Sequence, residues 1–346
     1  MKIGIFSRWN ATCGVAMHAE LLGREFLKKG YELKVFAPRL QSANRWWHHK
    51  IIRKKDEEFV IRCYDELHPE KMEGGWVDEN KILKENLDYL IVESYVSIPH
   101  KNVENLLMKI KKEKTKTIAV IHEGDENDIK YTTLEIFDRV VVFDKRYIKE
   151  VIPKFTHLAT IIPYPCLPVR ERKRKFAEDG ITFFSFGRQP FREYADFISA
   201  LESLYPSYDF IYKIVRSDGL LPYSKPWLIQ TRGRLGNEEV YSLLHSSDIH
   251  LLPKGETKKV VVSSTLFQCL GSLTPTVVPN TRHFETMKET GAIVIYEDVE
   301  DLKTKLKQVI DNEDIREGII KSAKAYVMEN SSEKIAEKFI ELLHSI

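Results

Sequence analysis

"KIGIFSRWNATCGVAMHAELLGREFLKKGYELKVFAP", Lys2 to Pro38, decides the fold. "KIGIFS" is a short apolar run rich in branched residues, the signature of a strand buried on both faces. A polar, glycine-containing turn, "RWNATCG", leads into "VAMHAELLGREFLKKG", whose apolar residues recur at helical spacing and stop at Gly30. "YELKVFAP" is a second strand. Strand, helix, strand with these short connections is a βαβ unit, and its handedness rule places the two strands parallel.

The same rhythm continues through strand-like runs "EFVIRCY", "DYLIVES", "TIAVIH", "RVVVFD" and "ATIIPYP", with helical stretches such as "VENLLMKIKKE" between several of them. It breaks at Pro163 to Gly180, "PYPCLPVRERKRKFAEDG", where three prolines precede a charge run that reads as a solvated linker. A second α/β series follows: "ITFFSFG", "EYADFISALESL", "DFIYKIV", "NEEVYSLLHSS", "DIHLLP", "TLFQCLGS", "PTVVP" and "AIVIY", then two amphipathic helices from about Val299 onward. The expected division is 1–165, 166–330 and a terminal helix, 331–346, that packs back on the first domain. In open parallel sheets ligands sit beyond the carboxyl ends of the strands, so two facing sheets make the cleft between them the expected site.

The chain has 346 residues, enough for two domains of ordinary size, with 43% hydrophobic and 30% charged residues. Its 53 basic and 51 acidic side chains leave a net charge of +2, which excludes a global field that gathers nucleic acid, and no nucleic-acid partner is expected. Cys13, Cys63, Cys166 and Cys269 are scattered, with neither a zinc-site spacing nor a disulfide framework. A reduced, cytoplasmic protein is expected. "MKIGIFSRWN" turns polar too early for a signal peptide, and no apolar run approaches the length of a membrane span.

"GRLGNEEVYSLLHSSDIHLLP", Gly233 to Pro253, resembles the late half of family 4 glycosyltransferases: a Gly-x-hydrophobic turn, a Glu-initiated helix, then an aspartate leading a buried strand that ends in proline. "FFSFGR" resembles the family's Gly-Arg strand end, "TPTVVP" its Thr-Pro-Val-Val strand, and "CGVAMHAELLGREFLKKGYELKVF" its first glycine-rich turn and helix. The resemblance covers nearly the whole chain in the right order. It implies an α/β fold of the GT-B type, two facing Rossmann-like domains with parallel sheets and an interdomain cleft. It also implies an acceptor held by the first domain and a nucleotide-diphosphate sugar, UDP- or GDP-linked, held by the second.

Glycosyl transfer from such a donor develops negative charge on the leaving diphosphate, so the site must supply fixed positive charge or oriented amides. Arg188, after Gly187, takes that role by the resemblance. Where the family has a lysine five positions later, this chain has Glu193; Arg192, one residue earlier, supplies the second cation if the turn is one residue shorter and is otherwise an exposed arginine. No Asp-x-Asp motif is present, so no metal and no cofactor are expected, and the acidic run "EGDEND", Glu123 to Asp128, reads as a solvated loop. The helix in "SSTLFQCLG" is expected to aim its amino terminus, with Ser264 and Thr265, at the phosphates. Simple helix capping explains the same serines.

The family carries two glutamates around this helix, one for the donor sugar and one for the ribose. Counted back from Pro275 they fall on Val260 and Gln268, so a ribose contact survives as an amide and the sugar contact is lost. Counted forward from Pro253, the longer "KGETKK" loop offers Glu256 instead, with Lys258 and Lys259 as further contacts to the diphosphate or to an anionic sugar. The turn at Gly233, Arg234 and Leu235 is expected to border the base. His122, ending "TIAVIH", takes the place of a histidine that touches the donor sugar. Trp9, Asn10, Gly14, Trp46 and Trp47 are expected on the acceptor side. "RWWHHKIIRKK", residues 45–55, joins two tryptophans to five cationic side chains and suits a membrane interface or an anionic acceptor.

The expected function is therefore transfer of a hexose, with retention of configuration and without a metal, to a glycan, lipid-linked or small-molecule acceptor. The chain would act in the cytoplasm, with peripheral membrane contact through 45–55. Two rivals stay open: a catalytically silent protein of the same fold that binds a nucleotide, glycan or partner, and a sugar-nucleotide epimerase, for which the extra acid-base carboxylates are missing.

Overall fold

A computed structural model describes residues 1–45, 50–111 and 114–346. The chain divides into two compact units: Met1–Pro165 with Lys259–Ser264 and Ser332–Ile346, and Cys166–Lys258 with Thr265–Ser331. The short piece Lys259–Ser264, within the loop that sequence reading left with the second domain, thus packs with the first.

The first unit is built on eight strands: β1 (Lys2–Phe6), β2 (Glu32–Pro38), β3 (Val60–Asp65), β4 (Trp76–Val77), β5 (Tyr89–Ser94), β6 (Lys116–Ile121), β7 (Arg139–Val142) and β8 (Ala159–Ile161). They lie in the order β4-β3-β2-β1-β5-β6-β7-β8, and all neighbours are parallel except β3 and β4. β1 and β5 are buried almost throughout because helices cover both faces of the sheet, which is why their sequences run apolar instead of alternating. The helix Gly14–Lys28 follows β1, with Cys13 Sγ accepting from the amide of Ala16. The terminal helix Ser332–His344 packs on it: Ser332 Oγ donates to Glu25 Oε1 at 3.0 Å and Lys29 pairs with Glu337 at 3.2 Å. The face that carries Ile335, Ala336, Phe339 and Leu343 is buried.

The second unit holds six parallel strands: β9 (Ile181–Gly187), β10 (Phe210–Arg216), β11 (Leu228–Arg232), β12 (Ile249–Leu251), β13 (Thr276–Pro279) and β14 (Val294–Tyr296). Their order is β11-β10-β9-β12-β13-β14. Successive side chains of β9 go to opposite faces: Phe183 joins Phe197, Leu201, Tyr212 and Leu302, whereas Phe184 and Phe186 join Val240, Leu244 and Cys269. Each such phenylalanine contributes about 1.5–3 kcal/mol by burial. The strand that bears the Gly-Arg motif is therefore rigidly placed.

Two strands escaped sequence reading. β4 has two residues, and β11, "LIQTR", is an edge strand with no buried face and hence no apolar alternation. Two charge runs are not simply solvated. Arg172 and Arg174 of the linker approach the fully buried Asp248 at 3.6 and 3.5 Å, so this run anchors the start of the second unit. Glu123 of "EGDEND" is buried, where it accepts from Ser94 Oγ at 2.6 Å and meets His100 Nε2 at 3.2 Å.

Candidate functional site

Each unit gathers polar side chains at the carboxyl ends of its strands, where an open parallel sheet binds ligands. In the first unit β5 delivers Glu93 and Ser94, and the turn after β6 delivers His122, Glu123 and Gly124. Glu93 is wholly buried, with one oxygen 2.8 Å from His18 Nδ1 and the other 2.6 Å from His122 Nε2. Burial alone would raise its pKa, but the two imidazoles outweigh this and hold it down to about 2. Glu93 is thus a carboxylate, an acceptor only, so both rings must present N–H to it. Burial pushes the pKa of His122 down and favours the neutral ring, whose remaining nitrogen, Nδ1, is then a lone-pair acceptor. Phe143 and the ring of His18 pack edge-on against His122.

The ligand atoms of His18, Glu93 and His122 lie within 4.8 Å of one another, a spacing that can hold a metal ion. Two hydrogen bonds already join them, through His18 Nδ1 and His122 Nε2, while His18 Nε2 is buried without a hydrogen-bond partner among the described residues.

Beside this cluster, the backbone of Lys259–Ser264 runs against the first unit. Val260 N–H donates to Gly124 O at 2.9 Å and Arg146 Nη2 donates to Val261 O at 3.1 Å. A side chain at Gly124 would collide with the Val260 carbonyl, so only glycine permits this approach. The fit at Gly14 is close but less strict: a Cβ there would lie 3.0 Å from Ser264 Oγ. The structure therefore brings Gly14 and Ser264 together, two positions selected for different reasons.

Several acceptor-side expectations need correction. Trp9 is 0% exposed, with Nε1 donating to Glu57 at 3.1 Å, and is a core residue. Asn10 is buried in a left-handed conformation, φ 56°, its side chain bound to Arg53 and Asp56. Both serve the loop that carries Arg53, and neither is available to an acceptor. Trp46 and Trp47 lie outside the described residues. Within residues 45–55, Arg53 is paired with Glu20 and Glu57 at 3.1 and 2.5 Å, which weakens the basic patch.

In the second unit β9 ends in Gly187, at φ 131°, where an added Cβ would collide with Gln189 Oε1. This turn sets Arg188 at the sheet edge. Arg192 is exposed, and Glu193 turns back so that its Oε1 lies 2.7 Å from where a Cβ on Gly255 would stand. Lys254 follows β12; it is half-buried, and its pKa is lowered chiefly by burial and further by Arg188, against the opposing pull of Glu193. Gln268 Nε2 donates to Asn237 Oδ1 at 2.7 Å. Gly233 N–H donates to Arg216 O at 3.0 Å, Leu235 packs under the sheet, and Arg234 is exposed.

The loop residues depart from expectation. Glu256 is exposed and accepts from the neighbouring Thr257 amide at 3.3 Å. Lys258 is exposed, and its carbonyl accepts from Arg282 at 2.6 Å. Lys259 is paired with Asp128 at 2.5 Å, because the segment it begins docks on the first unit. The helix at Ser264 and Thr265 is only Ser264–Cys269, too short to build the dipole that anion capture was expected to use.

Residues 188–341 match the sequence family described as glycosyl transferase-like. That match begins at Arg188. Among solved structures the chain is similar to a glycosyltransferase from Rickettsia africae, with 15% identity, 99% of this chain and 98% of that one covered, and a TM-score of 0.69. It is similar to Anabaena HepE in complex with UDP, with 11% identity, 100% of both chains and a TM-score of 0.71. An alpha-glucosyltransferase in complex with UDP and DNA has 12% identity, 99% and 100% coverage and a TM-score of 0.67. These likenesses fix the fold as the GT-B type, with parallel sheets in two α/β units. They also remove the ground for excluding nucleic acid as a partner of this fold, since one neighbour carries DNA. No helix among the described residues is long and apolar enough to cross a membrane.

Sequence reading missed Glu93, His18 and Lys254. A glutamate inside an apolar strand, "DYLIVES", was a signal for the first, because a buried carboxylate needs partners. Lys254 stood in plain view within "LLPKGETKK", but its meaning depends on which strand lies beside it.

Proposed function

We propose that the protein is a glycosyltransferase that moves a sugar from a nucleoside-diphosphate donor, UDP- or GDP-linked, to a hydroxyl acceptor. The observation that carries this reading is Arg188: it follows a left-handed Gly187 at the end of a fully packed strand, and it opens the stretch that matches the glycosyl transferase-like family. Its guanidinium would neutralise the diphosphate as the bond to the sugar breaks, a task that needs a fixed charge more than a base. Gln268 would hold the ribose, and the turn at Gly233 would border the base.

In the first unit His122 would accept a hydrogen bond from a sugar hydroxyl through Nδ1, because Glu93 engages Nε2. Transfer would retain configuration and need no metal, with the leaving phosphate taking the acceptor's proton. A glycan, lipid-linked or small-molecule acceptor and a cytoplasmic setting belong to the same proposal.

A second reading, a silent relative that binds a nucleotide without turning it over, is favoured by one observation. Val260, which stands where the family has its sugar-reading glutamate, is buried and apolar.

Thermal shifts with nucleotides and nucleotide sugars test the first reading, since a ligand at a hundred times its dissociation constant stabilises by about 2.7 kcal/mol. No shift with any of them would reject it. Given a shift, hydrolysis of the bound sugar is compared in wild type and Arg188→Ala. Turnover lost in the variant supports transfer, and binding without any turnover in wild type favours the silent relative.

A further inference from the structure

With glutamate at position 193, Arg192 exposed and Lys259 paired with Asp128, Arg188 needs a second cation beside it for a leaving group that carries at least two negative charges. The register of the second sheet supplies another. β12 pairs with β9 through Ile249 opposite Phe183 and His250 opposite Phe184. Extended past both strand ends, the same offset brings Lys254 level with Arg188, and the two are near enough for their charges to repel. Their mutual repulsion contributes to the lowered pKa of Lys254.

The surroundings of Lys254 are those of a charge awaiting a partner. Its side chain is half-buried, yet it makes no hydrogen bond and no ion pair within 4.0 Å among the described residues. Glu193 is near enough to act on it electrostatically but stands off against Gly255. A cation enclosed by protein without a bonded counter-ion is costly, and such positions cluster where a ligand provides the missing charge. Glu193 offsets part of the positive charge of Lys254 without occupying the lysine's donors.

We propose that Lys254 is the second diphosphate-binding cation, supplied from the end of β12 in place of the loop after β9. This inference rests on the transferase reading for the identity of its ligand, a nucleoside diphosphate, but not for the existence of an anion site. Arg188 offers a planar fork and Lys254 a compact point charge, a pair suited to bridging two phosphoryl groups.

Calorimetric titration of the full chain with UDP, GDP, uridine and inorganic pyrophosphate tests it in wild type, Lys254→Gln, Lys254→Arg and Glu193→Gln. Lys254→Gln is expected to weaken pyrophosphate and the responding nucleotide by roughly tenfold to a hundredfold, with uridine unchanged. Lys254→Arg should recover most of that loss, and Glu193→Gln should tighten both anions, since it removes a nearby negative charge. Wild-type affinity in Lys254→Gln overturns the inference and leaves the transferase reading standing. Lysine-dependent binding of pyrophosphate with no response to any nucleotide upholds the anion site and rejects the transferase reading. No binding of any probe by wild type rejects both. A Lys254→Gln chain that fails to fold by circular dichroism assigns the lysine a structural task and also overturns the proposal.

Discussion

His122 Nε2 and Glu93 Oε2 are 2.6 Å apart, and the other oxygen of the same carboxylate meets His18 Nδ1 at 2.8 Å. One buried glutamate therefore decides which nitrogen of two histidines carries the proton. Glu93→Gln keeps the shape but puts an amide N–H₂ against one ring, which must then turn its lone pair inward. The expected cost is about 1–3 kcal/mol of stability, read from the urea midpoint. Nucleotide affinity, which the proposed function assigns to residues of the second unit, should stay within a factor of two, while turnover of a nucleotide sugar falls. An unchanged turnover would show that the tautomer of His122 does not matter to the reaction.

Gly187 stands at φ 131°, a conformation that side chains resist, and Gln189 fills the space where a Cβ would go. Gly187→Ala is expected to lose about 2 kcal/mol of stability. The strain should also displace Arg188, which follows directly, so the thermal shift given by a nucleotide diphosphate should shrink by more than the shift given by the nucleoside. An equal loss for both ligands would place the strain elsewhere.

His250 is 0% exposed between Phe184 and Phe186, with Thr276 Oγ1 at 3.3 Å as its polar neighbour. Burial lowers its pKa from 6.5 to about 3. Below pH 6.5 the unfolded chain takes up a proton that the folded one refuses, so this residue removes stability as the pH falls toward 3. The loss is about 2 kcal/mol at pH 5. His250→Phe should flatten the fall in melting temperature between pH 7.5 and pH 5, and an identical slope in the variant would contradict the assignment.

The βαβ opening at Lys2–Pro38 was legible because burial on both faces leaves an apolar mark on the sequence itself. Arg188 and Gly187 were legible for a related reason, since they end a strand of that kind. What stayed hidden depends on partners far along the chain. Trp9 sits beside a glycine turn, yet its indole faces inward to Glu57. Lys259 lies next to Lys258 in a polar loop, yet it pairs with Asp128 of the first unit. Lys254 gains its neighbour only through the register of β12 on β9. Local pattern sets which elements form, but side-chain direction and cross-strand register set what those elements bring together.

Gln268 offers the most direct test of the residues that differ from the family pattern. Its Nε2 donates to Asn237 Oδ1 at 2.7 Å, a bond that does not engage the Gln268 carbonyl. In Gln268→Glu, Asn237 can turn its amide and donate back, so the fold should tolerate the change. A carboxylate accepts hydrogen bonds about twice as strongly as an amide oxygen, and a gain of about 1 kcal/mol corresponds to roughly fivefold tighter nucleotide binding. Gln268→Ala should weaken binding by a similar factor. The discriminating ligand is a 2′,3′-dideoxy nucleoside diphosphate, for which all three proteins should bind alike because the hydroxyls that Gln268 would hold are gone. If Gln268→Glu still gains affinity for the dideoxy compound, the side chain acts on some other part of the nucleotide and its assignment to ribose fails.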